Sequence, residues 1–403
     1  MSSKRAVVLY LFMHQPMRIS PYTIFDASVR HDYFDAEAKD EYSSNKFILD
    51  KVTQKSYLPT LKLFEKLHNK HSEFKFSLSI SGTVIEQLEA WQPEVISLIR
   101  RLVHDGVCEI VGETYYHTLA FFNSRQEFED QVAMHTRKMQ ELFNVTPTAF
   151  RNTEMSYNND LAYWADKAGY KAILSEGWDP VLGWRSPNYV YRPAYTENIK
   201  LLTKNYRLSD DLAFRFGNKA WSEWPLTPEK YISWLDSEKE SQVINLFMDF
   251  ETFGEHQWED TGIFSFKEDF VGKWLESENH TFMKITEAAE AFEASDAIDC
   301  PETITWADTE RDLTAWIGNA MQDGAIKALY GLEEEIKKSD DNNLLSDWRK
   351  LQTSDHFYYM CTKWFTDGDV HAYFSPYSSP YEAYINFMNV YHDLKYRLIQ
   401  SSS

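Results

Sequence analysis

An uninterrupted apolar run, AVVLYLF at residues 6–12, opens the chain. Without polar alternation it reads as a strand covered on both faces. FKFSLSIS (74–81), VCEIVG (107–112), TAFRN (148–152), KAILSEG (171–177) and QVINLFMDF (242–250) repeat the theme. Between them the apolar period changes to that of a helix. In SYLPTLKLFEKLHNK (56–70), Leu58, Leu61, Phe64 and Leu67 share one face. PEVISLIRRLVHDG (93–106) starts on a proline and stops at a glycine. SRQEFEDQVAMHTRKMQELF (124–143), NNDLAYWADKAG (158–169) and TPEKYISWLDSE (227–238) complete the set, the last capped by Thr227.

Strand and helix alternate through the first three-quarters of the chain, which predicts an α/β fold with a parallel sheet, as a barrel or a large open sheet. Near residue 308 the rhythm ends. AWIGNAMQDGAIKALYGLEEEIKK (315–338) and EAYINFMNVYHDLKYRLI (382–399) are helical with no convincing strand between. The expected organisation is a barrel over 1–300 and a helical region over 301–403 packed on it and contributing to its cleft. The polar segment 26–46 reads as an excursion over the surface.

Composition narrows the partners. Of 403 residues, 41 are Lys or Arg and 62 Asp or Glu, a net charge of −21. Such a surface repels nucleic acid and anionic membranes and argues against a polyanionic substrate, while a neutral or cationic one is permitted. The aromatic share of 16% supplies a core and leaves rings for a ligand cleft. Cys108, Cys300 and Cys361 are far apart, which argues against a disulfide framework and against cysteine-held zinc. No run approaches a membrane span of about 20 apolar residues. The N-terminal run is short for a secretory signal and lacks a small-residue cleavage site, so a cytoplasmic protein is expected.

Polar residues gather just after the apolar runs, at the strand ends where a barrel builds its site. His14-Gln15-Pro16 follows the first, Glu109, Glu113 and His117 the third, Glu154 the fourth, and Asp249 and Glu251 the last. Glu154 and Asp249 form a candidate two-carboxylate pair for glycoside hydrolysis, one acid on the leaving oxygen and one carboxylate attacking or activating water. Taken singly, each residue is as readily a cap or a salt bridge. His117 and His256 read best as satisfied surface histidines. Trp221 and Trp224 divide evenly between sugar stacking and loop packing, and Arg215 between orienting a carboxylate and pairing with Asp210 or Asp211.

HQP, GVCEIVGETYYH, RNTEMSY and LFMDFETFGEH occur in the order seen in glycoside hydrolase family 57, and WIGNAMQ resembles a fifth motif of its α-amylase-like members. The resemblance spans residues 12 to about 323. It implies a distorted (β/α)7 barrel with a helical C-terminal region, retention of anomeric configuration, and no cofactor or metal. It also implies Glu154 as nucleophile, Asp249 as acid/base, His14 in the sugar subsite and Glu109 hydrogen-bonded within the site. Glu251, two residues past Asp249, is placed on the opposite strand face unless the strand has ended. Trp221, Trp316, Asn319 and Gln322 are further substrate-binding candidates, the last three at 0, +3 and +6 on one predicted helix face. Two departures stand out. Arg151-Asn152-Thr153 replaces the aromatic start of the nucleophile motif, and Phe12 takes the first position of the family's His-x-His.

The expected function is therefore a retaining hydrolase of α-1,4 glucans, of α-amylase type, with an α-glucan or malto-oligosaccharide as its substrate. A 4-α-glucanotransferase or an α-galactosidase would use the same motifs. A metal-dependent polysaccharide deacetylase would need an Asp pair after the first strand and an HxxxH pair later. Neither is present. A non-catalytic carbohydrate-binding protein would be expected to lose a carboxylate, and both are kept. Asp249, as the acid, should have a raised pKa from the neighbouring charge of Glu154.

Overall fold

The computed structural model describes residues 4–34, 44–363, 371 and 374–401. Seven parallel strands close into a ring. They are β1 (Arg5–Met13), β2 (Phe76–Ile80), β3 (Cys108–Ile110), β4 (Ala149–Phe150), β5 (Ala172–Glu176), β6 (Lys200–Lys204) and β7 (Val243–Asp249). One sheet runs β3-β2-β1-β7 and another β4-β5-β6. Two seams join them. At one, Gly112 just past β3 bridges to Phe150 in β4. At the other, the Asn205 amide donates to the Asn245 carbonyl at 2.9 Å, and the Asn245 side-chain amide to the Thr203 carbonyl at 2.9 Å. The seams rest on one bridge and on a few hydrogen bonds rather than ladders, and that is the distortion in this (β/α)7 barrel. A further short strand, β8 (His280–Phe282), pairs with the start of β1 below β2.

Two-sided burial holds along β1, where all but the first residue are buried. Val7, Leu9 and Leu11 belong to one apolar cluster, and Val8, Tyr10 and Phe12 to another inside the barrel. The chain forms the anticipated helices with small shifts, Pro93–His104, Arg125–Phe143, Asn159–Lys167 and Pro228–Leu235 among them. Thr227 caps the last through Lys230 N. The strands β6 and β8, and helices such as Gly82–Trp91 and Ile263–Trp274, go beyond the elements expected from the sequence. Of the expected surface excursion 26–46, residues 35–43 lie outside the described residues.

From Thr314 onward the described elements are helices. The expected single helix over 315–338 is three, Thr314–Ile317, Ala320–Tyr330 and Glu333–Lys338. The break falls at Gly318-Asn319, because Asn319 turns to cap the second helix through Met321 N and Gln322 N. These helices share an apolar cluster with Asn342–Leu351 and Pro380–Ser401, around Trp316, Trp348 and Leu394. No described helix is long and apolar enough to cross a membrane.

Candidate active site

A cavity of about 510 Å³ opens at the C-terminal ends of the barrel strands, within the size range of small-ligand sites. His14, Glu154, Asp249 and Glu251 line it from the barrel, and Trp306, Trp316 and Asp355 close it from the C-terminal side.

Glu154 sits in the turn after β4, and the sequence dictates that turn. The Met155 and Ser156 amides bond back to Asn152 O and Thr153 O. The Asn152 side chain donates to Ser156 Oγ at 2.8 Å. Glu154 and Met155 both take left-handed backbone angles, φ 58° and 56°. Residues with a Cβ adopt that region at a cost of about 1 kcal/mol or more each, so surrounding contacts must hold them there. They do. His117 Nε2 lies 2.9 Å from Glu154 Oε1, Ser354 Oγ donates to the same oxygen at 3.3 Å, and Trp306 Nε1 donates to Oε2 at 2.9 Å.

Behind Glu154 stands a buried relay. His117 has no exposed surface, and its Nδ1 is 3.6 Å from Oε2 of the equally buried Glu113. Burial disfavours the charged imidazole, but the two flanking carboxylates outweigh it and push the pKa up to about 9. His117 is therefore a cation near neutral pH and donates to Glu154. Burial likewise works against an ionised Glu154. The His117 hydrogen bond and charge, with the Arg151 charge, overcome it and hold the carboxyl below its ordinary value.

Asp249 has the opposite surroundings. It is the last residue of β7, lines the cavity, and among the described residues no hydrogen bond holds its carboxylate. Burial raises its pKa and the Glu154 charge adds to the rise, against His256, Arg151 and Lys204. The expected cause, like-charge repulsion, is thus real but second to desolvation. Glu251 reaches the same cavity because β7 ends at Asp249 and residues Phe250–Thr252 form a 3-10 turn. Burial and the Asp249 charge push it up to about 8, although the Tyr57 hydroxyl donates to it.

His14 pairs through Nε2 with Asp355 Oδ2 at 2.9 Å and through Nδ1 with Ser81 Oγ at 2.7 Å. Burial and the adjacent His117 charge keep it neutral, so Nε2 carries the proton toward Asp355. Burial opposes ionisation of Asp355, yet its histidine neighbours hold it well below the usual carboxylate range. His14, His117 and Asp355 place metal-ligand-type atoms within 4.8 Å of one another. Those atoms already pair with one another and with Glu154, so the chemistry of the cluster is that of a hydrogen-bond network.

Several expectations are corrected here. Glu109 is the middle residue of β3 and outside the cavity lining, and its carboxylate accepts from Ser77 Oγ at 2.9 Å and from Thr286. Trp221 stands edge-on to Trp234, 6.1 Å away, outside the cavity. Of the tail trio only Trp316 lines the cavity. Asn319 is a helix cap that also donates to Met360 O, and Gln322 is buried on Ala315 O and Phe357 O. His117 and His256 are not surface groups, since His117 is buried and His256 lines the cavity. Arg215 pairs with Asp211. Sequence reading missed the roles of His117, Arg151, Trp306, Ser354 and Asp355. A signal for the last two exists in SDHFYY (354–359), which sets three polar residues before an aromatic run.

Comparison with known proteins agrees with this geometry. The profile of glycosyl hydrolase family 57 matches residues 8–301. A Methanocaldococcus jannaschii protein, provisionally named an alpha-amylase, is 39% identical over 87% of this chain and 77% of its own length. A branching enzyme of the family from Thermococcus kodakaraensis superposes with a TM-score of 0.69, at 12% identity, over 99% of this chain and 91% of its own. The 4-alpha-glucanotransferase of Thermococcus litoralis gives 0.64 at 15% identity, over 88% of this chain and 56% of its own. Those two show the shared fold. With a profile match over most of its length and a relative this similar, the chain belongs to glycosyl hydrolase family 57.

Proposed function

We propose that this enzyme hydrolyses α-1,4-linked glucans with retention, through a covalent glycosyl intermediate on Glu154, with Asp249 as acid and then base. One observation carries the reading. Two carboxyls face one cavity, one fixed by three donors and kept ionised, the other without a hydrogen bond among the described residues and with a raised pKa. That division is what a nucleophile and a general acid require. Glu154 attacks the anomeric carbon while Asp249 protonates the departing oxygen. Once Glu154 is esterified its charge is gone, the Asp249 pKa falls, and Asp249 takes the proton of the incoming water. His14, Glu251 and Trp316 flank the pair as groups for sugar hydroxyls and a ring face. The α-amylase name of the archaeal relative supports the α-glucan as substrate.

Proton NMR of the products from maltoheptaose tests this, with Glu154→Gln in parallel. The expected result is shorter maltodextrins released first as α-anomers and a variant slowed by at least about 10³-fold, from the loss of a reacting group. Initial β-anomers would overturn retention. Oligosaccharides longer than the substrate would replace hydrolysis by transfer.

A further inference from the structure

Trp306 is the second grip on the nucleophile. It comes from the segment after the barrel strands, where Ile304 bridges to Tyr157. It meets Glu154 twice, by its backbone amide to the Glu154 carbonyl at 3.4 Å and by its indole N–H to Oε2 at 2.9 Å. The other carboxylate oxygen, Oε1, already accepts from His117 and Ser354. Among the described residues Oε2 thus has Trp306 as its one protein donor and keeps a lone pair for the cavity, which makes it the attacking atom.

Two cations lie over the indole. The Arg151 guanidinium is 4.9 Å from the Trp306 ring centre and the Lys204 ammonium 5.4 Å. Arg151 is fully buried, stacks 4.0 Å over Phe12, and among the described residues has no hydrogen-bond partner on any of its three side-chain nitrogens. A buried, always-charged group without hydrogen-bond partners is costly, and it is compensated by the ring walls of this site and by the charge of Glu154. A cation over an indole draws electron density from it and makes the N–H a stronger donor. An indole N–H also cannot lose its proton to the carboxylate, unlike a histidinium.

We propose that Trp306 is a catalytic residue of the second displacement: its indole N–H, polarised by Arg151 and Lys204, stabilises Glu154 Oε2 as leaving group. In that step a water oxygen bonds to the anomeric carbon, its proton passes to Asp249, and the C–Oε2 bond breaks. The electron pair returns to Glu154, and the charge that appears on Oε2 meets a donor already in place. This inference rests on the reading of Glu154 as nucleophile.

The test is pre-steady-state hydrolysis of 4-nitrophenyl α-maltoside by the wild type and by Trp306→Phe, each with the intact mass of the enzyme during turnover. Glu154→Gln run beside them tests the nucleophile reading, and no turnover by the wild type, or turnover that survives in Glu154→Gln, would remove that reading and this one together. Given turnover, Trp306→Phe is expected to release a burst of one nitrophenol per enzyme, then run about 10²-fold slower, the scale of one lost donor to a developing oxyanion. KM should fall with kcat, and the variant should gain the mass of one maltosyl unit. Loss of rate with no burst and no added mass would overturn this proposal and leave the nucleophile standing. Arg151→Met removes a cation and keeps the indole, and it carries the test should Trp306→Phe fail to fold. Its expected result is a smaller burst-and-slow pattern in the same direction, and slowing without accumulation would again overturn the proposal.

Discussion

At Asp249 the carboxyl is removed from water and given no donor, so its charge is disfavoured twice, by burial first and by Glu154 second. Activity that needs its proton is then lost as pH rises through that raised pKa. In Glu154→Gln the second cause disappears and the first remains. Carbon-13 titration should place Asp249 in that variant below its wild-type pKa yet still above an ordinary Asp. A titration that did not move would mean that the two carboxyls do not feel each other. Lys267 shows burial without such use. It has no exposed surface, and its Nζ lies 5.2 Å from the Phe253 ring centre, 5.7 Å from Phe270 and 5.9 Å from Phe64. Among the described residues it has no hydrogen-bond partner, and burial lowers its pKa from 10.5 to about 7. Below pH 7 both folded and unfolded chains hold the proton, and the folded state bears the full cost of the buried charge. Between 7 and 10.5 the unfolded chain holds a proton that the folded one has released, so stability climbs with pH across that window. At about 1.4 kcal/mol per pKa unit the cost near neutrality is several kcal/mol, offset in part by the three ring faces. Lys267→Met should therefore add on the order of 2 kcal/mol at pH 7, and the gain should shrink toward pH 10.5. Urea midpoints across that range would show it, and a gain independent of pH would mean that the lysine does not titrate there.

The elements were legible wherever one local pattern decided them. β1 and β7 are continuous apolar runs because both their faces are covered, and Pro93, Ser124, Asn158 and Thr227 announce helix starts that the structure keeps. β6 gives little signal because KLLTK is short and begins and ends on lysine. Also invisible was the π-helical turn Thr53–Tyr57 inside the helical stretch 45–70, where Leu58 N bonds to Thr53 O. Pro59, with no N–H to offer the Lys55 carbonyl, accounts for it. That carbonyl faces Gly254, where a Cβ would lie 1.9 Å from its oxygen and where φ is +103°. The turn thus seats the loop after β7 and brings the Tyr57 hydroxyl to Glu251. A residue at a strand end, such as Asp249, can be read from its own run. Trp306, Ser354 and Asp355 could not, since each gains its role from a partner 152, 200 or 341 positions away.

That distance is a property of the whole molecule, because the barrel by itself does not hold Glu154. The helical layer supplies Ser354 to Glu154 and Asp355 to His14, and it must sit in register for either bond to form. Buried charge fixes the register. Glu127, with no exposed side-chain surface, accepts from Arg349 Nε at 2.8 Å and from its second nitrogen at 3.1 Å, and Lys337 lies 2.8 Å away. Gln131 and Gln352 join below it at 3.1 Å, and Thr353 Oγ1 donates to Tyr116 O at 2.9 Å, one residue before His117. Glu127→Gln leaves two cations facing a neutral group, and breaking one side of a buried pair costs about 3–5 kcal/mol. If that clamp sets the site, the loss should appear locally before it appears globally. Hydrogen exchange should quicken in the helices Asn342–Leu351 and Ser354–Tyr358 while β1 and β7 keep their protection, and activity should fall at temperatures where the barrel is still folded. Strands and helices losing protection together would instead make the two layers one cooperative body, with the clamp contributing stability alone.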